Sequence, residues 1–254
     1  MAQKPRRDEI LQYLEQNGFS TVGELVELLH YSTATVYRDL NELEHQNLVR
    51  RSYGGVELVG RGTMTLARRY DYMQPEKRHL AAMAAEYVKD GETISLAGGS
   101  TVACMVPHLG KKKNISVIVH DLRVAEQLGA LGVDVICLGG RICDPPSILM
   151  GDDTVENAMK YRVDKIFFSA TGLTPDGQIS VMEKYYLLYH VMMHGADKVC
   201  FLADHTKLEQ RGDRRLCDFS AVDYVVSDID FSGDIRGKYP KTEFVFVDGK
   251  VKRG

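Results

Sequence analysis

A regular alternation of short apolar segments with stretches of helical periodicity fills the last two thirds of the chain and constrains the fold more than any other feature. The apolar segments are Thr93–Leu96, Ile115–Val119, Val133–Leu138, Ile166–Ala170, Val199–Ala203, Tyr224–Val226 and Phe244–Val247. The helical stretches between them are Thr101–Leu109, Leu122–Leu131, Thr154–Tyr161 and Tyr185–His194, with an earlier helix that opens at Pro75. Short apolar strands that alternate with helices predict a mostly parallel sheet covered on both faces.

The first 60 residues follow a different pattern, which predicts three short helices and a β-hairpin. Thr21 is followed three residues later by Glu24, a spacing typical of a capping box at the start of the second helix. Ser32 is the predicted cap of the third helix, whose apolar residues recur at i, i+4 and i+7. Two extended pieces, Leu48–Ser52 and Val56–Val59, are joined through a Tyr-Gly-Gly turn. Together these elements predict a winged helix-turn-helix.

The two patterns divide the chain of 254 residues into two domains. We expect a winged helix-turn-helix over residues 1–59, a polar linker over 60–74 and an α/β domain over 75–254. The predicted fold class is therefore α/β, with an N-terminal winged helix-turn-helix and a C-terminal mostly parallel α/β domain. The length agrees with this division, because a domain typically has about 100–200 residues and small modules have fewer.

The composition is that of a folded cytoplasmic protein. Hydrophobic residues make up 44% of the chain and charged residues 26%, and the longest apolar runs are far shorter than the roughly 18 residues that a membrane helix needs. No apolar segment follows the basic N-terminus, so we expect no secretory signal. The five cysteines include no CxxC pair, and we expect reduced thiols instead of disulfides.

The distribution of charge decides how the chain can bind DNA. A net charge of −3 argues against a protein that coats nucleic acid through bulk charge. Residues 1–60 carry six lysines and arginines against nine carboxylates. A DNA-binding surface therefore depends on where these few cations point.

The third predicted helix has an outward face that suits contact with DNA. When its apolar positions face the core, Thr35, Arg38 and Asn41 point outward and Tyr37 lies on the flank. The first half of a recognition helix reaches base edges, and an arginine there can form a bidentate contact with guanine. Each cation taken singly is equally well explained as a solvated surface residue. The candidate DNA-binding residues are Ser32, Thr33, Thr35, Tyr37, Arg38, Asn41, Arg50 and Arg51, with Arg6 and Arg7 as further phosphate contacts.

This part of the chain resembles the DNA-binding module of the DeoR-type family of bacterial sugar-metabolism repressors. The matching stretches are Ser-Thr-Ala-Thr-Val-Tyr-Arg-Asp-Leu-Asn-Glu-Leu-Glu over 32–44 and Leu-Val-Arg-Arg-Ser-Tyr-Gly-Gly-Val over 48–56. The family usually has a pair of arginines before Asp-Leu, and Tyr37 stands in place of the first. A tyrosine can donate to phosphate or stack, but it cannot form the guanine contact of an arginine. The resemblance therefore implies DNA binding more directly than it implies an operator sequence.

Glycines, hydroxyls and charged residues follow several predicted strands. The Gly-Gly-Ser-Thr turn over 98–101 follows one strand and opens a helix, a setting that suits an anion such as phosphate. Because ligands of parallel α/β sheets bind at the carboxyl ends of strands, we expect these segments to converge. A plain tight turn is the alternative for the glycines, and a helix N-cap is the alternative for Asp204. The candidate effector-binding residues are Gly98, Gly99, Ser100, Thr101, Gly140, Arg141, Gly172, Glu183, Asp204 and Lys207.

The second part of the chain is similar to the DeoR-type effector domain, whose fold is similar to that of ribose-phosphate isomerases. The matching stretches are Glu76-Lys77, Gly91-Glu92-Thr93-Ile94, Gly99-Ser100-Thr101, Leu138-Gly139-Gly140, Gly151, Asp164-Lys165, Gly172, Gly177 and Asp204-His205-Thr206-Lys207. The resemblance implies a sensor for a phosphorylated sugar or a related metabolite. The family often has Asp where Ala97 stands and Asn where His120 stands. Tyrosines or leucine also replace charged residues after Glu183, which indicates a different ligand, a pocket that senses no ligand, or core packing by the tyrosines.

A sugar-phosphate isomerase with an attached DNA-binding module is the alternative from another class of protein. Such an enzyme needs a general base and an electrophile, for which Asp204, Glu183 and Lys207 are the candidates. However, Ala97 takes the place of a carboxylate, and no Ser-His-Asp or nucleophile-elbow pattern occurs. We therefore expect a regulator without catalytic residues.

The predicted function is a sequence-specific transcriptional regulator, in the first instance a repressor of carbohydrate-metabolism genes that a phosphorylated metabolite releases from DNA. We expect operator DNA and a small effector as partners, a homodimer or homotetramer, no membrane association and no cofactor. We also expect no metal, although a metal sensor built on His190 and His194, or on Cys200 and Cys217, is a remote alternative.

Overall fold

The computed structural model describes residues 6–17, 19–46, 48–52, 55–58, 74–143 and 147–248. The chain divides into two compact units, residues 1–69 and residues 70–254. The predicted linker over 60–74 lies outside the described residues except for Gln74, and so do Val59 and the Tyr53-Gly54 part of the predicted hairpin turn. The predicted boundaries at 59 and 75 therefore stay predictions.

The N-terminal unit contains the three helices and the hairpin strands that its sequence predicts. Its helices are α1 (Arg6–Asn17), α2 (Val22–Leu29) and α3 (Thr33–His45), and its strands are β1 (Phe19–Thr21), β2 (Val49–Ser52) and β3 (Gly55–Leu58). The Thr21 hydroxyl accepts a hydrogen bond from the Glu24 N–H at 3.0 Å, and the Glu24 carboxylate accepts one from the Thr21 N–H at 2.8 Å. This completes the predicted capping box, and the Ser32 hydroxyl caps α3 by accepting from the Thr35 N–H.

The hairpin gains a third strand, β1, which no sequence pattern indicated. β1 pairs antiparallel with β3, and the strand order is β1-β3-β2. A Cβ on Gly55 would lie 2.1 Å from the Phe19 ring, so β1 and β3 can approach each other only because residue 55 is glycine. The core of this unit consists of Ile10, Leu14, Leu25, Val36, Leu40, Leu43, Val49 and Val56.

The C-terminal unit contains all seven predicted strands together with shorter elements. Its helices are α4 (Gln74–Glu86), α5 (Ser100–Ala103), α6 (Val106–Leu109), α7 (Leu122–Ala130), α8 (Asp152–Ala158), α9 (Glu183–His194) and α10 (Gly233–Lys238). Its strands are β4 (Thr93–Leu96), β5 (Ser116–Val119), β6 (Asp134–Cys137), β7 (Arg141–Ile142), β8 (Leu149–Met150), β9 (Val163–Phe168), β10 (Gly172–Leu173), β11 (Gln178–Val181), β12 (Ala196–Ala203), β13 (Arg214–Asp218), β14 (Tyr224–Ser227) and β15 (Glu243–Phe246). A 3₁₀ turn over His205–Glu209 follows β12, and another over Phe219–Ala221 follows β13.

A seven-stranded sheet in the order β15-β14-β12-β9-β4-β5-β6 forms the centre of this unit, and every neighbouring pair in it is parallel. The predicted mostly parallel α/β fold is thereby confirmed. Strands β5 and β6 extend the sheet on one side of β4, and β9, β12, β14 and β15 extend it on the other. The strand order therefore reverses between β4 and β9. In open α/β sheets, ligands bind outside the carboxyl ends of the strands at such a reversal.

Two features of this unit differ from the sequence-based expectation. The helix predicted over 101–109 is divided into α5 and α6, because Pro107 near the start of α6 has no N–H to continue the helical hydrogen bonds. Two small antiparallel sheets, β7-β8 and β10-β11-β13, add to the predicted one. Strands β7, β8 and β10 have two residues each, too few to show a two-residue period, and β11 and β13 contain no continuous apolar run. Within the described ranges, no helix combines the length and apolar character needed to cross a membrane.

Candidate functional site

Helix α3 exposes Arg38 and Asn41, two of the three residues that the sequence assigns to its outward face, whereas Thr35 is half-buried and its hydroxyl lies 2.8 Å from Ser32 Oγ. The predicted apolar stripe is buried in the core, and Tyr37 on the flank is 44% exposed. Among the described residues, none forms a hydrogen bond or an ion pair with Arg38. This guanidinium is therefore available to a partner from outside the unit.

The wing residue Arg51 reaches back to α3. Its guanidinium carbon lies 5.4 Å from the centroid of the Tyr37 ring, and it donates hydrogen bonds to Asn41 Oδ1 and, at 3.4 Å, to the Tyr37 carbonyl. Arg51 Nε lies 3.5 Å from the carboxylate of Glu44. The structure thus brings three predicted DNA-binding residues, Tyr37, Asn41 and Arg51, into one surface group.

The other wing arginine, Arg50, is paired within its own sheet. Arg50 Nη2 lies 3.0 Å from Glu57 Oε1, and the Glu57 side chain is fully buried. Arg50 therefore balances a buried carboxylate, although more than half of its side chain stays exposed. Its contact with phosphate stays a prediction.

The two arginines that open α1 have a structural partner that the sequence does not reveal. Arg6 donates two hydrogen bonds to Asp39, a buried residue of α3, and Arg7 Nε lies 3.5 Å from the same carboxylate. The hydrogen bond and the charge of Arg6 outweigh the burial of Asp39 and hold the pKa of its carboxyl below the usual value. The predicted phosphate contacts of Arg6 and Arg7 thus compete with an internal ion pair.

Four neighbouring strands of the large sheet end in polar or glycine residues at the predicted ligand edge. Asp204 follows β12, Ser169 follows β9, Gly98 lies just beyond β4, and His120 follows β5. Strands β4 and β9 flank the reversal of the strand order. The predicted residues that the fold carries to this edge are Gly98, Gly99, Ser100, Thr101, Asp204 and Lys207.

Asp204 is almost fully buried and only half satisfied. The residue is 1% exposed, and its Oδ1 accepts hydrogen bonds from the N–H of Thr206, at 3.1 Å, and from its hydroxyl. Oδ2 has no hydrogen-bond partner among the described residues. Oδ1 thus makes the cap that was the alternative interpretation of Asp204, and Oδ2 is left for another group.

Two buried lysines keep Asp204 ionised. Burial opposes ionisation, but the charge of Lys207, the hydrogen bonds from Thr206 and the charge of Lys77 together outweigh it, so the pKa of Asp204 lies below its usual value. Lys77 and Lys207 are 4% and 8% exposed. Lys77 belongs to α4, and apart from the family resemblance no pattern in the sequence links it to this edge.

Ser169 and His205 also lie at this edge and were not among the candidate site residues. Ser169 is buried, its Oγ has no partner among the described residues, and its Cβ is 3.8 Å from the point that a Cβ on Gly99 would occupy. His205 Nδ1 lies 2.7 Å from Asp228 Oδ2, a hydrogen bond that raises the pKa of His205. A serine after a strand and a histidine in a turn are too common in sequences to single out.

Gly98 is held by two buried aromatic side chains. Its N–H donates to His120 Nε2 at 2.7 Å, and its carbonyl accepts from the Tyr189 hydroxyl at 2.6 Å. His120 Nδ1 lies 3.1 Å from the Leu149 carbonyl, so Nδ1 carries the ring proton. Burial lowers the pKa of His120, which keeps the ring in the neutral form that can accept from Gly98.

Two of the predicted glycines have packing contacts in the structure. A Cβ on Gly140 would lie 2.0 Å from Thr154 Oγ1 on α8, and a Cβ on Gly172 would lie 2.1 Å from the Gln210 carbonyl oxygen. Close packing thus accounts for both glycines. Gly140 also follows the edge strand β6, which β5 separates from β4. Their contact with an effector stays a prediction.

The remaining predicted residues are exposed. Arg141 lies on the short strand β7, and the carboxylate of Glu183 is paired with Arg214.

The two histidines of the alternative metal site, His190 and His194, have ring centroids 4.2 Å apart on α9. In the part of the chain that the structure describes, however, no group of three or more potential ligands surrounds a metal position.

Comparison with known proteins identifies both parts of the chain. Residues 6–61 match the family model described as a DeoR-like helix-turn-helix domain, and residues 73–229 match the DeoR C terminal sensor domain. The chain is 28% identical over 231 residues to the HTH-type transcriptional repressor GlcR of Bacillus subtilis, which covers 90% of this chain and 89% of that protein. It is 26% identical over 231 residues to the glycerol-3-phosphate regulon repressor of Escherichia coli, covering 90% and 92%.

Solved structures give a weaker likeness. Ribose 5-phosphate isomerase from Plasmodium falciparum is similar over 52% of this chain and 51% of that chain, with 15% identity and a TM-score of 0.38. A TM-score this low supports no conclusion about the function of this chain. The family assignment depends on the two family models.

Proposed function

The chain belongs to the DeoR family of helix-turn-helix transcriptional regulators, and on this premise we propose that it represses carbohydrate-metabolism genes until a phosphorylated metabolite releases it from its operator. The N-terminal unit binds double-stranded DNA, and the C-terminal unit binds the effector. The DNA-binding form is a homodimer or homotetramer, because two recognition helices related by a two-fold axis read two half-sites.

One observation carries the effector part of the proposal: a half-satisfied buried carboxylate faces two buried lysines beside the reversal of the strand order. Lys77 and Lys207 offer positive charge to a phosphate group. The unpartnered Oδ2 of Asp204 and the unpartnered Oγ of Ser169 suit the hydroxyls of a ligand. A small molecule with one phosphate and several hydroxyls suits this edge, with the phosphate beside the two lysine charges and hydroxyls bonded to Asp204 Oδ2 and Ser169 Oγ.

The DNA part of the proposal depends on the exposed side of α3 and on the wing. Arg38 is exposed in the first half of the recognition helix and reads a base edge. Tyr37, Asn41 and Arg51 act as one group beside it, since Arg51 is bonded to both other residues. The proposed DNA contacts are Ser32, Thr33, Thr35, Tyr37, Arg38, Asn41, Arg50 and Arg51.

Helix α4 is the proposed route from effector to DNA. It begins at Gln74, the last residue of the predicted linker, and it carries Lys77 at the ligand edge. An effector that binds Lys77 therefore acts on the helix that follows the linker. Release from DNA requires that the effector bind the free and the DNA-bound states with different affinities.

Isomerase activity is a less well supported function for the same edge. Glu183, one candidate base, is exposed and paired with Arg214, and Ala97 offers no carboxylate. We therefore propose that the domain binds its ligand without converting it. Incubation of the purified chain with pentose and hexose phosphates checks this, because turnover above background would reverse the choice.

A thermal-shift screen of phosphorylated sugars and polyols tests the proposed function. A ligand at about 100 times its Kd adds about 2.7 kcal/mol to the stability of the folded state, and this raises the Tm by about 5 °C or more. Each compound that raises the Tm is then added to an operator complex. If none of them weakens DNA binding, the proposed release is wrong, and if no phosphorylated compound raises the Tm, the proposed effector class is wrong.

A further inference from the structure

At the ligand edge, side chains of the protein itself form hydrogen bonds with the backbone of Gly98. Both backbone polar groups of Gly98 are taken, the N–H by His120 and the carbonyl by Tyr189. The two side chains are 0% and 5% exposed. A ligand at this edge therefore does not find the N–H of Gly98 open to a hydrogen bond, and one lone pair of the carbonyl is already used.

The two side chains form one packed unit. The Tyr189 ring lies edge-on to the His120 ring, with centroids 6.2 Å apart, and edge-on to Phe168 at the end of β9, with centroids 6.4 Å apart. A Cβ on Gly98 would lie 3.1 Å from the His120 ring. Because α9, β5 and β9 all contribute to this unit, Gly98 is fixed relative to the centre of the sheet.

Gly98 is followed by Gly99, and the position of this turn depends on how Gly98 is held. Gly99 has φ 136°, a conformation that residues with a side chain rarely adopt. It lies beside Ser169, whose buried Oγ has no partner among the described residues. Without the two bonds to Gly98, the turn over 98–99 would be free to move away from Ser169.

We propose that His120 and Tyr189 are positioning residues of the effector site, which fix the turn over 98–99 beside Ser169 and occupy the N–H of Gly98. This inference rests on the proposed function of the ligand edge. It predicts that the two side chains contribute to effector affinity without touching the effector. A site that is ordered before binding loses less conformational entropy when the ligand arrives.

The test compares four variants of the full chain by calorimetric titration with inorganic phosphate and ribose 5-phosphate. Tyr189→Phe removes one hydroxyl and keeps the ring packing, and Tyr239→Phe, which removes another buried hydroxyl that donates to a backbone carbonyl, is the matched control. His120→Leu removes the acceptor for Gly98, whereas His120→Gln restores an acceptor at a similar reach. Titrations are made well below the Tm of each variant, so that they report on folded protein only.

We expect the Kd of the probe that binds wild-type protein to rise about tenfold in Tyr189→Phe and His120→Leu. We expect a change below about threefold in His120→Gln and in Tyr239→Phe. Equal affinity of Tyr189→Phe and the control overturns the inference, and this pair decides the question if His120→Leu does not fold. If neither probe binds wild-type protein, the proposed effector class fails instead.

Discussion

Each unit contains a buried aspartate in its proposed binding region, and the two aspartates differ in how completely their carboxylates are hydrogen-bonded. In the N-terminal unit, Arg6 binds both carboxylate oxygens of Asp39. In the C-terminal unit, only one oxygen of Asp204 has a hydrogen-bond partner among the described residues, although Lys77 and Lys207 supply charge nearby. A buried carboxylate whose bonds are complete holds helices together. A buried carboxylate that is charge-balanced but incompletely bonded is a place where a ligand gains hydrogen bonds.

The two units also differ in where their cations lie and in what these cations pair with. In the N-terminal unit, Arg6, Arg50 and Arg51 are paired with carboxylates, while Arg38 is exposed and unpaired among the described residues. The proposed DNA-binding surface therefore has few unpaired charges among the described residues, in agreement with the net negative charge of this region. The ligand edge instead concentrates its positive charge in a buried position, where electrostatic interactions are stronger than at the surface.

The largest expected effect is on effector binding after Lys77→Met. Methionine keeps the length and the packing but removes the charge from the ligand edge, and a hydrogen bond to a charged group contributes about 1.5–3 kcal/mol. We expect the Kd of the effector to rise by about 10- to 100-fold while operator binding without effector stays within about twofold. Titration calorimetry and fluorescence anisotropy measure the two quantities. Lys89→Met, on an exposed residue, is the control, and an equal loss in both variants would contradict the role of Lys77.

For Arg38→Ala we expect weaker operator binding and unchanged effector binding. Loss of a base contact costs about 1–3 kcal/mol of operator binding, and effector affinity should not change because Arg38 belongs to the N-terminal unit. Anisotropy on operator and on unrelated duplex measures the loss. The control is Lys111→Ala, which removes an exposed cation from the C-terminal unit. An unchanged operator affinity would show that α3 is not the recognition helix.

A smaller effect on stability is expected for Asp39→Asn. The variant leaves Arg6 without its counter-charge, and because Arg6 is partly exposed we expect a loss of only about 1–2 kcal/mol. The loss should appear in the amides of α3 by hydrogen exchange, with no change in β4 or β9. The pKa of Asp39 is lowered in the folded chain, so its contribution is present above about pH 4 and is lost as the pH falls below that value. A loss shared equally by both units would contradict the structural role.

The smallest effect concerns the acid sensitivity of the C-terminal unit. Burial lowers the pKa of His120, so below about pH 6.5 the unfolded chain takes up a proton that the folded chain does not. The stabilisation of wild-type protein over His120→Gln should therefore shrink by about 1 kcal/mol between pH 7.5 and 5.5 and stay constant above pH 7.5. Hydrogen exchange at β4 and β5 measures it. A difference that does not depend on pH would show that His120 titrates normally.

The sequence predicts the framework of both units because the framework follows local patterns. The seven strands of the large sheet are apolar runs of ordinary strand length, and the capping box of Thr21 and Glu24 is a short-range motif. Strand β1 and the sheet β10-β11-β13 are not predictable in this way. Strands β1 and β10 are short, and β11 and β13 contain no continuous apolar run, so pairing with other segments makes them strands.

The site is less predictable because its contacts are distant in sequence. Asp204 and Lys207 could be nominated from a strand end, but the approach of Lys77 depends on how α4 packs. The partner of Asp39 lies 33 residues away in α1. His120 and Tyr189 stood out only as departures from a resemblance, and their joint role at Gly98 requires the three-dimensional structure.

The most direct test of the account is a single binding experiment on the full chain. A duplex enriched by selection from a randomised library is titrated with protein, with and without the phosphate ester that raises the Tm most. We expect the selected duplex to bind at least about 1,000-fold tighter than unrelated DNA and the ester to weaken that binding by at least about fivefold. Selection that enriches no sequence, or an ester that binds the protein and leaves its DNA affinity unchanged, would contradict a regulator that couples these two units.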